Sequence, residues 1–306
     1  MPRVSVITAT YNRSEVLRWA IASVRAQTFD DWEQIIVGDA CTDDTADVIA
    51  SFGDPRIRFF NRRVNYGEQS GPNNDGFGHA AGELVAYLNH DDLWFPDHLE
   101  TLVSYLDRTG ADLVYALPVS IDQHGTAFCG LTNAELCYDP SHFVPSSLWL
   151  ARAALIRELR GWRPARKIHA RNPSQDLLYR AWKKTRTLRC QPRITAIVLA
   201  SGGRPGCYIT RDDSQHRYIW TCMQAAGYRE ELATTMAVES ARELARVSAE
   251  RTSSGVDRLV DRMLLSLRLH PDAVRNRLAG RRKGWWIDYL RELRGLPPMG
   301  EPGREP

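Results

Sequence analysis

The first hundred residues alternate between short apolar runs and segments with helical periodicity, and this alternation restricts the possible folds more than any other feature. Val4 to Thr8 is a β-branched run, and beyond a polar loop apolar side chains recur at helical spacing from Val16 to Val24. The runs Gln34 to Val37 and Thr45 to Phe52 repeat this order. Because alternating strands and helices pack as a parallel sheet covered by helices, the sequence predicts an α/β fold.

The alternation continues for about two hundred residues and then stops. Further apolar runs predict strands at Arg56–Phe60, Leu84–Leu88, Leu113–Ile121 and Ile194–Leu199, and periodic segments predict helices at Ser147–Leu159 and Gln175–Lys183. From about Ser214 the pattern is almost entirely helical. We therefore expect a domain over 1–220, with a donor half at about 1–100 and an acceptor half at about 101–220. A helical extension over 221–295 and a disordered Pro- and Gly-rich tail over 296–306 would follow.

Composition excludes several classes of protein. A net charge of +3 with 25% charged residues gives no global field that favours nucleic acid. The six cysteines form no CxxC pair, which is typical of free thiols in a reducing compartment. The sequence has no basic and apolar leader and no stretch near the roughly 20 apolar residues of a membrane span. We expect a cytoplasmic protein.

The strongest chemical signal is the polar run from Asn89 to Asp92, directly after a predicted strand. In open α/β sheets, ligands bind beyond the carboxyl ends of the strands. Adjacent carboxylates are costly to desolvate unless a cation compensates them, and Mg²⁺ or Mn²⁺ is commonly held by one or two carboxylates together with substrate phosphates. The run therefore indicates a metal and nucleotide site. The alternative is that Asp91 and Asp92 cap the helix after Pro96.

Three segments, read together, resemble one family: VSVITATYNR at 4–13, IIVGDACTDDT at 35–45 and YLNHDDLWFPDHL at 87–99. They resemble the family-2 GT-A glycosyltransferases, including the spore-coat polysaccharide synthesis glycosyltransferase, over roughly residues 3–220. The resemblance implies a Rossmann-like GT-A sheet, mixed but mainly parallel, with helices on both faces. It also implies inverting transfer of one sugar from a UDP- or dTDP-sugar to a hydroxyl acceptor, with Mn²⁺ or Mg²⁺, in bacterial polysaccharide or glycoconjugate biosynthesis.

The resemblance assigns donor-binding roles near the first two strands. Thr8, Ala9 and Tyr11 would bracket the base and ribose, with the tyrosine ring as a stacking surface. Asp39 would accept the imide N–H of uracil or thymine, a donor that other bases do not present there; otherwise it is an ordinary turn residue. Asn73 stands where the family usually has an arginine, so it would supply a neutral hydrogen bond instead of a charge.

In the family's aspartate motif, the residue matching Asp91 is the metal ligand, and Asp92 would be its supporting partner. Asn89 and His90 occupy positions that are often acidic in the family, and we expect them to contact the donor. His90 as a direct metal ligand is an alternative.

The acceptor side rests on later residues. Asp176, in the run SQDLL at 174–178, matches the family's general base, and its alternative is a carboxylate favoured by a helix N-terminus. Trp149 is a candidate acceptor contact or a core residue. His216 is a candidate contact to phosphate or metal in a mobile loop made flexible by Gly202, Gly203 and Gly206.

The segment 271–295 combines arginines with tryptophans and leucines, which is typical of a basic amphipathic helix. It could lie on the inner face of a membrane and meet a lipid-linked or other saccharide acceptor, pack on the domain, or form a homodimer.

Two rival functions stay open. A nucleotidyltransferase would carry a Gly-rich phosphate-binding loop after the first strand, but Thr8 to Arg13 contains no glycine. A binding-only pseudoenzyme would explain why Asn89, Asn73 and Gln175 stand at positions that are often charged in the family.

Overall fold

The computed structural model describes residues 1–117, 119–122, 125–127, 132–133, 135–169, 172–185, 187–199, 204–249 and 254–299. Within these ranges the strands are β1 (Val4–Thr10), β2 (Trp32–Gly38), β3 (Ile57–Asn61), β4 (Leu84–Tyr87), β5 (Leu93–Trp94), β6 (Leu113–Ala116), β7 (Ser120–Asp122), β8 (Gly125–Ala127), β9 (Trp149–Arg152), β10 (Leu188–Gln191) and β11 (Ala196–Leu199).

The helices of the described ranges cover both faces of the sheet and most of the chain after residue 206. They are α1 (Ser14–Arg25), α2 (Thr45–Ala50), α3 (Ser70–His79), α4 (His98–Thr109), α5 (Ala153–Glu158), α6 (Pro173–Thr185), α7 (Cys207–Thr210), α8 (Ser214–Met223), α9 (Tyr228–Ala249), α10 (Ser254–Ser266), α11 (Pro271–Leu278) and α12 (Trp285–Leu293). Short 3-10 turns lie at Ser146–Leu148 and Ala165–Lys167.

Seven strands form the main sheet in the order β10-β6-β9-β4-β1-β2-β3. β1 is parallel to β2 and β4, with Ile7 opposite Ile35 on one side and Tyr87 on the other. Only β9 runs antiparallel, between β4 and β6. Both faces of β1 and β2 are covered, which explains their nearly continuous apolar sequences. The parallel register brings the chain segments after β1, β2 and β4 to one edge of the sheet.

A smaller sheet, in the order β5-β11-β7-β8, lies beside this edge. Its apolar side chains, such as Leu93 and Ile197, share a second core with Leu232 and Met236 of α9. The helical segment after residue 220 therefore contributes to the same packed body. The predicted division at about residue 220 stays a prediction.

The mixed, mainly parallel sheet and the helical C-terminal region confirm the predicted fold class. Two predicted elements were wrong. The segment Ser147–Leu159 is not one helix, because Trp149 to Arg152 pairs as a strand with both β4 and β6 before α5 begins. The predicted strand over Leu113–Ile121 ends at Ala116, since the Leu117 N–H donates to the Arg193 carbonyl and β7 joins the smaller sheet.

In the described ranges, no helix is both long and apolar enough to cross a bilayer. Cys129, Gly202, Gly203 and residues 300–306 of the predicted tail lie outside the described residues.

Candidate donor site

A cavity of about 320 Å³ opens at the carboxyl ends of β1, β2 and β4. Ala9, Tyr11 and Asp39 line one side of it, and Asn89 to Asp91 line another. The side of the cavity away from the sheet is formed by α12 and the residue that follows it, with Ile287, Leu290, Arg291 and Arg294. Six of the predicted site residues are therefore brought together: Ala9, Tyr11, Asp39, Asn89, His90 and Asp91.

Asp39 is anchored by the loop that leads into α3. Its Oδ1 accepts the Tyr66 N–H at 2.7 Å and its Oδ2 accepts the Gly67 N–H at 2.9 Å. Burial raises the pKa of Asp39, while these two N–H groups and Arg62, whose Nε is 3.4 Å away, act in the opposite direction. Because a carboxylate has about four acceptor positions, these contacts leave room for a further hydrogen bond from a ligand.

The two adjacent aspartates differ in environment. Asp91 lines the cavity, whereas Asp92 is 1% exposed and turned inward. Asp92 accepts hydrogen bonds from Asn89 Nδ2 at 2.9 Å, from the Leu199 N–H at 2.9 Å and from the Ser147 hydroxyl. Burial, followed by the charge of Asp91, raises the pKa of Asp92 to about 8. Asp92 thus braces the loop behind Asp91 and does not itself line the cavity.

The helix-capping alternative for these aspartates was wrong. α4 begins at His98 with Asp97 at the N-cap position, and Asp92 is instead tied to β11 through Leu199.

Two histidines flank Asp91. His90 lines the cavity, and burial lowers its pKa to about 4, so its imidazole is neutral at neutral pH. His216, buried on α8, places Nε2 3.1 Å from the backbone oxygen of Asp91. Its Nδ1 is buried and has no hydrogen-bond partner among the described residues. His216 therefore supports the main chain at Asp91 from behind and does not line the cavity.

An aromatic wall, which sequence reasoning missed, is formed around Tyr208 of α7. The Tyr208 ring lies 6.2 Å from that of Tyr11 and 6.3 Å from that of His90. Arg13 lies 5.2 Å from the Tyr208 ring and Arg294 lies 5.9 Å from it. Arg13 could have been singled out, since it closes the first motif; Tyr208 and Arg294 carry no local signal because α12 and α7 meet only in the folded chain.

The C-terminal helix packs on the cavity. Arg291, 7% exposed, donates through NH1 to the Gly67 carbonyl at 2.6 Å and through Nε to the Pro297 carbonyl at 2.6 Å. The Gly206 N–H also donates to the Leu293 carbonyl at 3.0 Å. Of the alternatives for 271–295, packing on the domain is the one the contacts support for α12.

Three predicted contacts lie away from the cavity. Thr8 is buried inside β1, where its hydroxyl accepts from Gln34 Nε2 at 3.2 Å. Asn73 is buried in α3. Trp149 is 1% exposed and stacks on Trp162 with ring centroids 6.1 Å apart, which makes it a core residue. The structure therefore places none of the three on the cavity wall.

Asp176 lies on the wall of a second cavity, of about 790 Å³, while Ser174 of the same helix lines the first. Its Oδ2 accepts from Arg180 Nε at 2.7 Å, and its Oδ1 is 3.7 Å from NH1 of Arg163. Residues of the first turn of α6 thus line both cavities, Ser174 the first and Asp176 the second.

Comparison with known proteins identifies the fold and the motifs. Residues 5–150 match the family model described as Glycosyl transferase family 2. Residues 5–150 therefore form a family-2 glycosyltransferase domain. The match contains the donor-side cavity residues from Ala9 to Asp91 and confirms the family predicted from the three motifs.

Curated relatives of this domain include bacterial glycosyltransferases. The chain is 39% identical over 108 residues to a GalNAc(5)-diNAcBac-PP-undecaprenol beta-1,3-glucosyltransferase of Campylobacter jejuni, covering 34% of each chain. It is 30% identical over 112 residues to the Escherichia coli UDP-Glc:alpha-D-GlcNAc-diphosphoundecaprenol beta-1,3-glucosyltransferase WfgD, covering 37% of this chain and 44% of WfgD. These matches span less than half the length of either relative.

Solved structures share the fold. Staphylococcus aureus TarS, in a crystal structure with UDP, superposes with a TM-score of 0.57 at 16% identity, over 96% of this chain and 87% of TarS. A mannosyltransferase of Pyrobaculum calidifontis, in complex with GDP-Man and Mn²⁺, gives a TM-score of 0.54 at 16% identity, over 94% of this chain and 85% of that one. Both support the GT-A arrangement.

A divalent cation fits the family-2 site only with help from the substrate. No group of three or more His, Cys, Asp or Glu side chains in the described ranges is arranged to hold a metal. Asp91 nevertheless presents a carboxylate to the cavity. Mg²⁺ and Mn²⁺ accept this arrangement, because one or two carboxylates with substrate phosphates and water suffice.

Proposed function

We propose that the protein transfers one sugar from a UDP- or dTDP-sugar to a hydroxyl acceptor, with inversion, in polysaccharide or glycoconjugate biosynthesis. The observation that carries this proposal is the cavity at the carboxyl ends of β1, β2 and β4, where Asp39, Asp91 and an aromatic wall meet. The family-2 match and the bacterial polysaccharide enzymes among the relatives support the same reaction class.

The donor base would lie between Asp39 and Tyr11. Asp39 is held rigidly by the Tyr66 and Gly67 N–H groups, and this fixes the direction in which it accepts a further donor. An imide N–H of uracil or thymine suits that acceptor, and cytosine offers none there. Two of the similar proteins support a uridine nucleotide: TarS, whose crystal structure contains UDP, and WfgD, which uses UDP-Glc by name.

The diphosphate would lie toward Asp91, where Mn²⁺ or Mg²⁺ would be held by this carboxylate and the phosphate oxygens. When bound, such a cation neutralises the charge of the departing nucleoside diphosphate. Arg13 and Arg294 add positive charge to this end of the cavity beside Tyr208. Arg294, which lines the cavity, would supply the charge that Asn73 lacks, because Arg13 is already paired with Glu15 at 2.8 Å.

Asp176 would serve as the general base. The acceptor hydroxyl attacks the anomeric carbon, its proton passes to the Asp176 carboxylate, and the bond from the anomeric carbon to the diphosphate oxygen breaks. Because Asp176 faces the second cavity, the acceptor would approach from there and the donor from the first. For this step the ion pair to Arg180 has to leave one carboxylate oxygen free.

A nucleotide-sugar-binding protein without transferase activity is the competing proposal. It is favoured by the ion pair on Asp176 and by Asn89 at a position that is often acidic in the family.

The first experiment is a thermal-shift panel of UDP, dTDP, GDP, CDP and ADP, each with Mn²⁺ or with EDTA. A ligand that binds only the native state raises the melting temperature, so we expect a Mn²⁺-dependent rise with UDP or dTDP alone. Asp91→Asn should abolish the rise, whereas Asp31→Asn on the exposed surface should keep it. The absence of a rise with every nucleotide would refute the donor assignment.

Transfer itself is tested by donor turnover and by the anomeric configuration of the product. Inverted product, formed by the wild type and not by Asp176→Asn, supports the base assignment. UDP binding without turnover of any UDP-sugar would favour the binding-only alternative.

A further inference from the structure

The second cavity is strongly basic. It is lined by two carboxylates, Glu158 and Asp176, and by eight lysines and arginines: Arg160, Arg163, Lys167, Arg180, Lys183, Lys184, Arg268 and Lys283. The whole chain carries a net charge of only +3. The excess of positive charge in this cavity is therefore a local concentration and not a reflection of composition.

The acidic residues of the cavity are already engaged. Asp176 pairs with Arg180 at 2.7 Å, and Glu158 pairs with Lys184 at 3.1 Å. Within the described ranges, no ion pair reaches Lys167, Lys283 or Arg268. Like charges that converge without counter-charges repel one another, which favours binding of an anion.

The fold holds distant segments together to build this cavity. The backbones at Gly284 and Arg166 lie side by side, because a Cβ atom placed on Gly284 would be 3.4 Å from the Arg166 backbone. Lys283 and Lys167 are the chain neighbours of these two residues, so the segments that carry them are adjacent in the fold. Asn276 Nδ2 donates to the His169 carbonyl at 3.1 Å, and Lys183 Nζ donates to the Arg268 carbonyl at 3.4 Å. Basic residues near 167, 183, 268 and 283 are thereby fixed around one space.

Unused hydrogen-bonding atoms also point to a ligand. His169 and His270 both line the cavity, and in each the Nδ1 atom is buried without a hydrogen-bond partner among the described residues. An oxyanion offers acceptors for such atoms when they carry a proton, and it pairs with the surrounding ammonium and guanidinium groups.

We propose that this cavity binds a phosphate or diphosphate group, and that the group belongs to the acceptor. The second part rests on the proposed function, because Asp176 lines the same cavity and would meet a hydroxyl anchored by this anion. Leu269 at the cavity and the exposed Leu267 nearby offer an apolar surface to an alkyl ester of the diphosphate. A free inorganic anion acting as an effector has the same chemistry and is the second source.

The test is calorimetric titration of inorganic pyrophosphate into the full chain with EDTA present. The variant Lys167→Glu/Lys283→Glu reverses two exposed charges that form no ion pair or side-chain hydrogen bond within the described ranges, so we expect it to fold and to bind pyrophosphate at least about tenfold more weakly. The matched control, Arg18→Glu/Arg242→Glu, reverses two exposed charges elsewhere and should bind as the wild type does. Equal binding by both variants, or no binding by the wild type, overturns the anion site.

A parallel titration with UDP and Mn²⁺ separates this inference from the proposed function. If the protein binds pyrophosphate and not UDP, the donor-site assignment is refuted and the anion site stands. If it binds UDP and not pyrophosphate, the anion site is refuted and the donor-site assignment stands.

An alkyl diphosphate distinguishes the two sources of the anion. Tighter binding than pyrophosphate, with competition between the two, identifies an acceptor site. If the alkyl ester does not compete, the cavity takes the free anion and the acceptor assignment is overturned.

Discussion

At the scale of single residues, neighbouring side chains of the same type perform different tasks. Asp91 faces the donor cavity, and Asp92 satisfies three donors inside the protein. Their adjacent positions in the chain do not show this difference, which arises from burial in the fold.

We expect Asp92→Ala to destabilise the protein, because the Leu199 N–H and Asn89 Nδ2 lose their acceptor. An unsatisfied buried donor costs about 1–3 kcal/mol, so the free energy of unfolding should fall by about 3 kcal/mol. Urea unfolding measures this. Asp91→Ala is the control and should keep the wild-type stability while losing Mn²⁺-dependent UDP binding; equal destabilisation by both would contradict the contrast.

Asp176→Asn should lower kcat for sugar transfer by about 10²-fold or more, which is the usual contribution of a general base, and leave the Kd for UDP unchanged. Glu158→Gln, in the same cavity, is the matched control and should keep kcat. A fall in kcat of the same size in both variants would indicate a role of cavity charge and not of a specific base.

His98 predicts a pH effect on stability. It is fully buried, Nδ1 lies 2.8 Å from the Thr195 hydroxyl, and burial lowers its pKa to about 3. Below about pH 6.5 His98 is protonated in the unfolded chain and stays neutral in the folded chain. The free energy of unfolding therefore falls by about 1.4 kcal/mol per pH unit down to about pH 3. Urea unfolding at pH 7 and pH 5 should therefore show an additional loss of about 2 kcal/mol in the wild type relative to His98→Asn.

At the scale of secondary-structure elements, the sequence predicted β1, β2 and their helices well because each element satisfies its own pattern. β9 was missed because Trp149 to Arg152 is buried on both faces, and a short buried run has no period that separates strand from helix. Its conformation is decided by the open edges of β4 and β6, which lie far away in sequence.

The docking of α12 should control donor affinity. Arg291→Met removes the hydrogen bond to the Gly67 carbonyl, so the loop that holds Asp39 loosens and the Kd for UDP should rise about tenfold. Arg277→Met, at an exposed position of α11, should have no effect. Calorimetry measures both, and an unchanged Kd in Arg291→Met would show that α12 packs on the cavity without supporting it.

At the scale of the whole molecule, the sequence predicted the side of the cavity that follows β1, β2 and β4 and missed the side contributed by the C-terminal region. Asp39 and Asp91 follow strands, and the topology of a parallel sheet brings such residues together. Tyr208, Arg291 and Arg294 reach the cavity because helices that are distant in sequence pack together, and no local sequence pattern predicts that packing.

The position of β9 has a consequence for synthesis on the ribosome. β9 lies between β4 and β6 and pairs with both of them. A nascent chain that lacks β9 would therefore carry unpaired edges on β4 and β6, which are templates for association with other chains. These two edges are covered once Trp149–Arg152 has emerged, and the sheet is complete when Leu188–Gln191 pairs with β6. Until β9 is in place, the polypeptide needs protection from its neighbours at these edges.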